Sequence, residues 1–338
     1  MQFLRKGLVV SIFLFSFLPS FATDRSFSLD FNGDGRTDLA LYREGSRTAS
    51  PPQQSYWFFM NTTNHSVFQR AWGQTLDVPA PGDFDGDGIT DVGIYRWWDF
   101  DTGDTNSWWV SKSTGGHQVL LSYEPGYNKF NRNYLGDAKA EIGQLYQIDI
   151  SQTPGVNCFI SVYFVADLQG NVLRKTVGNA CNTIPTPAPG DYNNDGRSEI
   201  AVFDNRTFKV WLPPYSGGYT TPDMVQALDV DMAAPGDYDG DGKTDFAGVK
   251  PVNGRLIWRI KFSGTGVLAN VDWGLATDKP VPGDYDGDGT TDIAIWRPSN
   301  GAWWIRNSSN SVVTVYVYGL PTDTPLAMPV IPFSPILF

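Results

Sequence analysis

The sequence predicts an all-β protein, a β-propeller of four-stranded blades, for which six blades is our preferred number and seven the alternative. Three observations support this fold. An aspartate-rich stretch of nine residues recurs along the chain, and each copy leads into short apolar segments. The composition of 12 Trp, 15 Tyr and 21 Phe beside 35 Gly and 23 Pro is typical of many short strands joined by tight turns.

The acidic stretch occurs six times, at intervals of about 50 residues, which indicates a propeller, a solenoid or another repeat array. The copies are DFNGDGRTD (30–38), DFDGDGITD (83–91), NYLGDAKAE (133–141), DYNNDGRSE (191–199), DYDGDGKTD (237–245) and DYDGDGTTD (284–292). We number the positions of each stretch 1 to 9.

Each copy is followed by apolar or alternating segments that read as strands. LALYR follows the first copy and IAIWR the sixth, and second and third strands follow, such as RLIWRI and HQVLLSY. A Pro-rich segment such as VPAPGD precedes the stretch and completes four strands in about 50 residues, the size of one blade. The tail at 319–330 resembles 274–285 without the acidic stretch. It either closes the ring against the first blade or begins an incomplete seventh.

The pattern D-x-D-x-D-G-x-x-D suits a calcium ion. Oxygens at positions 1, 3, 5 and 9 and the backbone carbonyl at position 7 can converge on one cation, and calcium takes six to eight oxygen ligands. Glycine at position 6 permits the sharp turn, and without a cation the carboxylates repel one another. An EF-hand would need Glu at position 12, which is apolar here, as in Leu41, Ile94 and Ile295. Ordinary Asp/Gly turns without metal are the alternative.

Five copies keep an oxygen at every ligand position, so the sequence predicts about five calcium ions. The third copy has Asn133 and Leu135 at ligand positions and is predicted to bind no metal. The predicted ligands, with position 7 acting through its carbonyl, are Asp30, Asn32, Asp34, Arg36 and Asp38; Asp83, Asp85, Asp87, Ile89 and Asp91; Asp191, Asn193, Asp195, Arg197 and Glu199; Asp237, Asp239, Asp241, Lys243 and Asp245; and Asp284, Asp286, Asp288, Thr290 and Asp292.

The two cysteines of the chain, Cys158 and Cys181, both lie in the unit whose acidic stretch is degenerate. They are equidistant from a predicted turn at Gln169 and Gly170, which would place them side by side on antiparallel strands. The sequence therefore predicts a disulfide that stabilises this unit, with two free buried thiols as the alternative.

Residues 1–22 are predicted to be a signal peptide. Arg5 and Lys6 precede an apolar run over 7–18, and small residues stand before the cleavage site after Ala22. An uncleaved anchor is the alternative. Residues 23–338 are predicted to form a single propeller domain, secreted to an extracellular or periplasmic location, with no later membrane span. The net charge of −11 argues against nucleic acid and anionic membranes as partners.

The segments PGDYDGDGKTD and PGDYDGDGTTD, each followed by an apolar strand, resemble the FG-GAP/VCBS repeats of integrin α-chain propellers and of many exported bacterial proteins. The resemblance covers about residues 26–330. It implies structural calcium ions in loops between the strands of a blade, and ligands bound elsewhere, often by loops on one face. Members of this family serve in cell adhesion and in glycan or protein binding.

A secreted binding or adhesion module is therefore the expected function, with a glycan or protein ligand at the face loops. The candidate contact residues are Trp97, Trp98, Asp101 and Asp104, from an insertion rich in Asp and Trp. The alternative is that both tryptophans pack between blades, as is expected of Trp108, Trp109, Trp303 and Trp304 on strands.

Catalysis is not expected. His65 and His117 are the only histidines, and neither lies near a nucleophile motif. Two alternatives remain open, a carbohydrate-active enzyme that uses surface carboxylates and a structural component of a surface layer.

Overall fold

The computed structural model describes residues 29–48, 50–96, 107–121, 128–132, 137, 139–149, 158–166, 172–181, 185–215 and 221–327. Within these ranges the chain forms 24 β-strands and no α-helix, which confirms the all-β class. Accordingly, the described part of the chain offers no helix with the length and apolar character needed to cross a membrane.

The strands follow the predicted repeat units in chain order. The first unit has β1 (Leu39–Arg43), β2 (Gln54–Met60) and β3 (Val67–Gln74), and the second has β4 (Val78–Pro79), β5 (Val92–Arg96), β6 (Ser107–Ser111) and β7 (His117–Leu121). The third has β8 (Asn128–Arg132), β9 (Glu141–Asp149), β10 (Cys158–Ala166) and β11 (Val172–Cys181), and the fourth has β12 (Thr186–Pro187), β13 (Ile200–Asp204), β14 (Thr207–Trp211) and β15 (Met224–Ala227). The fifth has β16 (Met232–Ala233), β17 (Phe246–Val252), β18 (Arg255–Lys261) and β19 (Leu268–Leu275), and the sixth has β20 (Lys279–Pro280), β21 (Ile293–Arg297), β22 (Ala302–Arg306) and β23 (Val313–Val317), followed by β24 (Thr324–Leu326).

These strands form antiparallel four-stranded sheets whose order follows the sequence, as in β4-β5-β6-β7. Five sheets share one pattern, in which an edge strand of two or three residues comes first. The sheet of β8 to β11 departs from it, because its first strand has five residues and the next three have nine or ten. Repeated four-stranded sheets of this kind are the blades of a β-propeller.

The end of the described chain completes its first sheet. β24 pairs antiparallel with β1, and Ala40 lies opposite Leu326 in the register. The sheet order is therefore β24-β1-β2-β3. Of the two alternatives for the tail, closure against the first blade is the one found.

The apolar core is divided among the seams between neighbouring sheets. One cluster joins Trp57 of the first unit to Ile94 of the second, and another joins Trp303 of the sixth unit to Leu41 of the first. Trp108 and Trp303 are almost completely buried in such clusters, as expected for tryptophans on strands. Trp109 and Trp304 are partly buried against seam clusters.

The cysteine pair falls on the hairpin of β10 and β11. Cys158 and Cys181 are direct cross-strand partners in the register, which is the placement that a disulfide requires. The predicted turn at 169–170 lies outside the described residues. The disulfide itself stays a prediction.

Three of the connections between blades share an ion pair in which the aspartate is buried. Arg297 at the end of β21 contacts both carboxylate oxygens of Asp278, at 2.9 and 2.7 Å, and the Asp278 side chain is fully buried. The same pair forms between Arg96 and Asp77 and between Arg43 and Asp323. In each case the aspartate stands just before the first strand of a blade, so the pair fixes where that blade begins.

Candidate metal sites

The carboxylate at position 1 folds each acidic loop. In the sixth unit, Asp284 accepts hydrogen bonds from the backbone N–H groups of Gly287, Asp288 and Gly289, at 2.7, 3.1 and 2.9 Å. Gly287 and Gly289 have φ of 74° and 86°, a left-handed conformation that glycine adopts without strain. The loops that begin at Asp30, Asp83, Asp191 and Asp237 repeat this arrangement.

The carboxylate at position 9 closes the loop from the other side. Asp292 is buried and accepts the backbone N–H of Tyr285 at 2.9 Å and that of Ser308 at 2.6 Å. Ser308 lies in the turn between β22 and β23, so the loop is attached to a turn of its own blade. The position 9 side chains of the second and fifth units are held in the same way.

Four of the five predicted sites bring three acidic side chains together, with one oxygen of each within 4.8 Å of the others. The groups are Asp83, Asp85 and Asp91; Asp191, Asp195 and Glu199; Asp237, Asp239 and Asp241; and Asp284, Asp286 and Asp292. The first loop is not among these four groups. Asn32 donates to both oxygens of Asp38, at 2.8 and 2.9 Å. Asn133 and Leu135 of the third stretch lie outside the described residues.

The oxygens at position 3 point to a bound cation. Asp85 Oδ1, Asn193 Oδ1 and Asp286 Oδ1 are buried and have no hydrogen-bond partner among the described residues. A buried unpaired acceptor costs about 1–3 kcal/mol. In the second and sixth loops a cation could bind this unpaired carboxylate oxygen, whereas Asn193 turns its Nδ2 towards Asp195 and Glu199. The residues therefore fit a metal ion with oxygen ligands.

The electrostatics of position 9 support the same conclusion. Burial raises the pKa of the Asp292 carboxyl to about 6, and the negative charge of Asp286 raises it further. Burial likewise raises the pKa of Asp245 to about 7 and that of Glu199 to about 9. A divalent cation in the loop would supply the opposite charge that these buried carboxylates lack.

The turn that follows the third strand of a blade adds contacts to the acidic loop that the sequence did not suggest. Thr114 Oγ1 donates to Asp85 Oδ2 at 2.5 Å, and Ser309 Oγ donates to Asp286 Oδ2 at 2.5 Å. Each hydroxyl occupies one oxygen of position 3 and leaves the other oxygen to the cluster. The signal was the hydroxyl pair at this turn, Ser113-Thr114 and Ser308-Ser309.

Neighbouring loops are joined by a repeated backbone hydrogen bond. The N–H of position 8 donates to the carbonyl of position 1 in the preceding loop, at 2.6 or 2.7 Å. The described pairs are Thr37 to Asp284, Thr90 to Asp30, Ala140 to Asp83, Thr244 to Asp191 and Thr291 to Asp237. The pair from the first loop to the sixth joins the two ends of the array, so the loops form one connected belt.

The glycine before position 1 is required by this belt. A Cβ on Gly236 would lie 2.8 Å from Thr291 Oγ1 and 2.9 Å from Thr291 Cγ2. Gly190 and Gly283 meet Thr244 and Thr37 in the same way. The glycine of PGD in one loop therefore packs against the threonine of TD in the next loop, and the two residues form one contact between blades.

Gly236→Ala is expected to lower the free energy of unfolding by about 1–3 kcal/mol, because the added methyl group overpacks this contact. Urea unfolding measures the change. Thr291→Ala removes the two atoms that clash, so the double variant is expected to recover part of the loss. Strict additivity of the two substitutions would contradict this explanation.

The loops surround a central cavity of about 710 Å³. Its lining comes from the acidic loops of the first, second, fourth, fifth and sixth units, and includes the position 7 side chains Ile89, Lys243 and Thr290. The predicted role of the position 7 carbonyls, including those of Arg36 and Arg197, stays a prediction.

The predicted ligand residues Trp97, Trp98, Asp101 and Asp104 lie outside the described residues, so no role is assigned to them. The two histidines are exposed. The His65 ring contacts Tyr316 edge-on at 5.5 Å, and the His117 ring stacks on Trp72 at 4.6 Å.

Fold and loops together define a class, a β-propeller whose repeated blades carry acidic clusters that can hold metal ions. No family model and no curated protein matches the chain. Among solved structures, TolB from Acinetobacter baumannii is similar, with 16% identity, a TM-score of 0.50 and coverage of 85% of this chain. The match spans 64% of the TolB chain, slightly less than two thirds. At this identity the likeness supports the propeller fold alone.

Two other solved propellers are more distant. A putative 6-phosphogluconolactonase from Bacteroides fragilis has 11% identity, a TM-score of 0.44 and coverage of 88% of this chain and 97% of its own. A streptogramin B lyase structure has 11% identity, a TM-score of 0.44 and coverage of 87% and 86%.

Proposed function

We propose that this chain is a secreted, calcium-stabilised β-propeller of the FG-GAP/VCBS type that acts as a binding or adhesion module for a glycan or protein ligand. The observation that carries the proposal is the repeated acidic cluster with a buried, unpartnered oxygen at position 3. In this proposal the ions hold the blades, and other surfaces bind the ligand.

The proposed ring has six blades. The described residues form six four-stranded sheets, and the belt bond from Thr37 to Asp284 joins the first loop to the last. The pairing of β24 with β1 favours closure after the sixth unit.

Calcium fits the loops better than magnesium. Magnesium demands near-ideal octahedral geometry and keeps several waters, whereas calcium accepts a larger and less regular set of protein oxygens. The loops offer carboxylates and backbone carbonyls, and a rotated amide of Asn32 or Asn193 would add an oxygen in place of the Nδ2 that now faces the acids. Removal of Arg5 and Lys6 with the signal peptide changes the charge from −11 to about −13, and five calcium ions would bring it to about −3.

A binding role is favoured over catalysis because the acids of the loops are already occupied. Asp284 and Asp292, for example, accept backbone hydrogen bonds on both of their oxygens. Among the described residues, the His65 ring contacts the ring of Tyr316 and the His117 ring contacts that of Trp72.

Calcium stoichiometry tests the proposal. Equilibrium dialysis of metal-free protein is expected to give about five ions per chain, and glycan and protein arrays with calcium present are expected to reveal a ligand. Zero bound ions would refute the metal assignment. Five ions without any ligand, together with large assemblies in size-exclusion chromatography, would favour a structural layer instead.

A further inference from the structure

The last strand of the sixth sheet, β23, has a free backbone edge. The sheet order β20-β21-β22-β23 places it at the end, and no described strand other than β22 pairs with it. Its register with β22 runs from Val313 to Val317 without a bulge. An edge strand of this kind presents a row of N–H and C=O groups that can pair with a strand of another chain.

The valines of β23 form an exposed apolar face. Val313, Val315 and Val317 alternate along the strand, so they share one face of the sheet, and they are 44%, 43% and 77% exposed. Tyr316 lies on the opposite face and packs against the seam cluster of the first unit. Val315 is the cross-strand partner of Trp304, which lines an apolar cavity of about 280 Å³ between the fifth and sixth units. The valine face therefore continues into an apolar groove.

Other outer strands have features that discourage pairing with another chain. β3, β11 and β19 each pair through a bulge, and each carries a charged residue, Arg70, Arg174 and Asp272 respectively. β15 has no bulge, but it has four residues and one exposed valine, Val225. Bulges and charges are the usual means by which proteins prevent edge pairing. β23 has neither.

The sequence of β23 is complementary to itself. VTVYV is symmetric in its valines about Val315. If two copies pair antiparallel about this residue, Val313 lies opposite Val317 of the partner subunit, and the valines of both copies share one face. Residues 307–322 contain no charged side chain, although the chain carries a net charge of −11. A second copy therefore meets no like charge along this strand, and the contact has the two-fold symmetry that is commonest in dimers.

We propose that β23 pairs antiparallel with β23 of a second copy of this chain, with a two-fold axis at Val315. The two sixth blades then form one continuous sheet of eight strands. A single pair of short strands is smaller than the interface of about 800 Å² per partner that is typical of stable complexes. The dimer is therefore expected to dissociate reversibly. The inference depends neither on the ligand nor on the ions of the proposed function.

Sedimentation velocity of the calcium-loaded protein tests the dimer. Between about 1 µM and 1 mM protein, a reversible equilibrium of monomer and dimer is expected. Hydrogen exchange over the same range is expected to show that β23 amides gain protection as the concentration rises. A protein that stays monomeric throughout would overturn the proposal. Protection of β23 that is equal at all concentrations would also overturn it, because a segment of the same chain would then cover the edge.

Val315→Glu places two like charges opposite each other at the two-fold axis. It is expected to weaken dimerisation about tenfold or more, because facing like charges oppose association. Val225→Glu on β15 is the matched control, an equally exposed type of position on another outer strand, and is expected to leave the dimer unchanged. Both valines are exposed, so both variants are expected to keep the melting temperature of the unaltered protein. Unchanged dimerisation in Val315→Glu would place the interface elsewhere and refute the assignment.

Two double variants test the register. Val313→Glu with Val317→Lys places each new carboxylate opposite a new ammonium of the partner subunit. Val313→Glu with Val317→Glu removes the same valines but opposes like charges. The first is expected to dimerise about tenfold more tightly than the second, because opposite charges across a strand pair attract and like charges repel. Equal affinities would contradict antiparallel pairing about Val315.

Calcium stoichiometry and array binding are expected to be the same in all four variants, since none alters an acidic loop. Failure of the dimer would therefore leave the proposed function intact, and loss of calcium or ligand binding in the unaltered protein would leave the dimer to be judged by sedimentation alone.

Discussion

Removal of calcium is expected to lower the melting temperature of the native protein by on the order of 10 °C or more. Each ion that binds only the folded state adds RT ln(1 + [L]/Kd), or about 2.7 kcal/mol at one hundred times Kd. In the proposed function five such sites act on one ring, and without ions carboxylates such as Asp245 and Asp292 are buried without a counter-charge. Differential scanning calorimetry in excess chelator and in excess calcium measures the shift.

The control for this experiment is a loop that is not expected to hold an ion. Asp286→Ala in the sixth unit removes the oxygens of position 3 and is expected to weaken or abolish binding of one ion and to lower the melting temperature in calcium. Asp137→Ala alters an exposed residue of the degenerate third stretch and is expected to do neither. A melting temperature that is unchanged in chelator would refute the metal assignment for all loops.

Asp278→Ala is expected to lower the free energy of unfolding by about 3–5 kcal/mol, because it removes one partner of a buried ion pair. The Asp278 side chain is completely buried and contacts Arg297 through both oxygens. It also accepts the backbone N–H of Leu275 at 2.8 Å. The substitution therefore leaves a guanidinium and a backbone donor without their acceptor. Urea unfolding measures the loss.

Asp272→Ala provides the comparison within the same seam. Asp272 contacts Arg255, but the two side chains are 55% and 47% exposed, and exposed ion pairs contribute about 0–1 kcal/mol. Equal losses in the two variants would mean that burial does not determine the strength of these pairs.

The architecture was largely predictable because the acidic stretch is local. Its glycines and carboxylates act within nine residues, so their spacing was visible, and the strands followed from the apolar segments after each copy. The pairing of Cys158 with Cys181 was equally predictable, because distance from a turn sets the register of a hairpin.

What sequence reasoning missed depends on contacts between distant parts of the chain. Thr37 donates to Asp284 across the closure of the ring, and Ser309 reaches Asp286 from the next turn. Both roles require a folded blade before they exist. The aspartate of the Arg297 to Asp278 pair could be found in the sequence, since Asp-x-Pro follows a glycine in WGQTLDVP, WGLATDKP and YGLPTDTP. This pattern does not indicate which arginine contacts the aspartate.

The pairing of β24 with β1 determines when the molecule can be completed. A ribosome makes the chain from its amino end, so β1 exists long before residues 324–326 that cover its edge. Until then the first blade has three strands and an open backbone edge, the kind of edge that recruits other chains. Every growing or truncated chain that stops before residue 324 therefore carries this open edge. The first sheet gains its fourth strand only when residues 324–326 have been made.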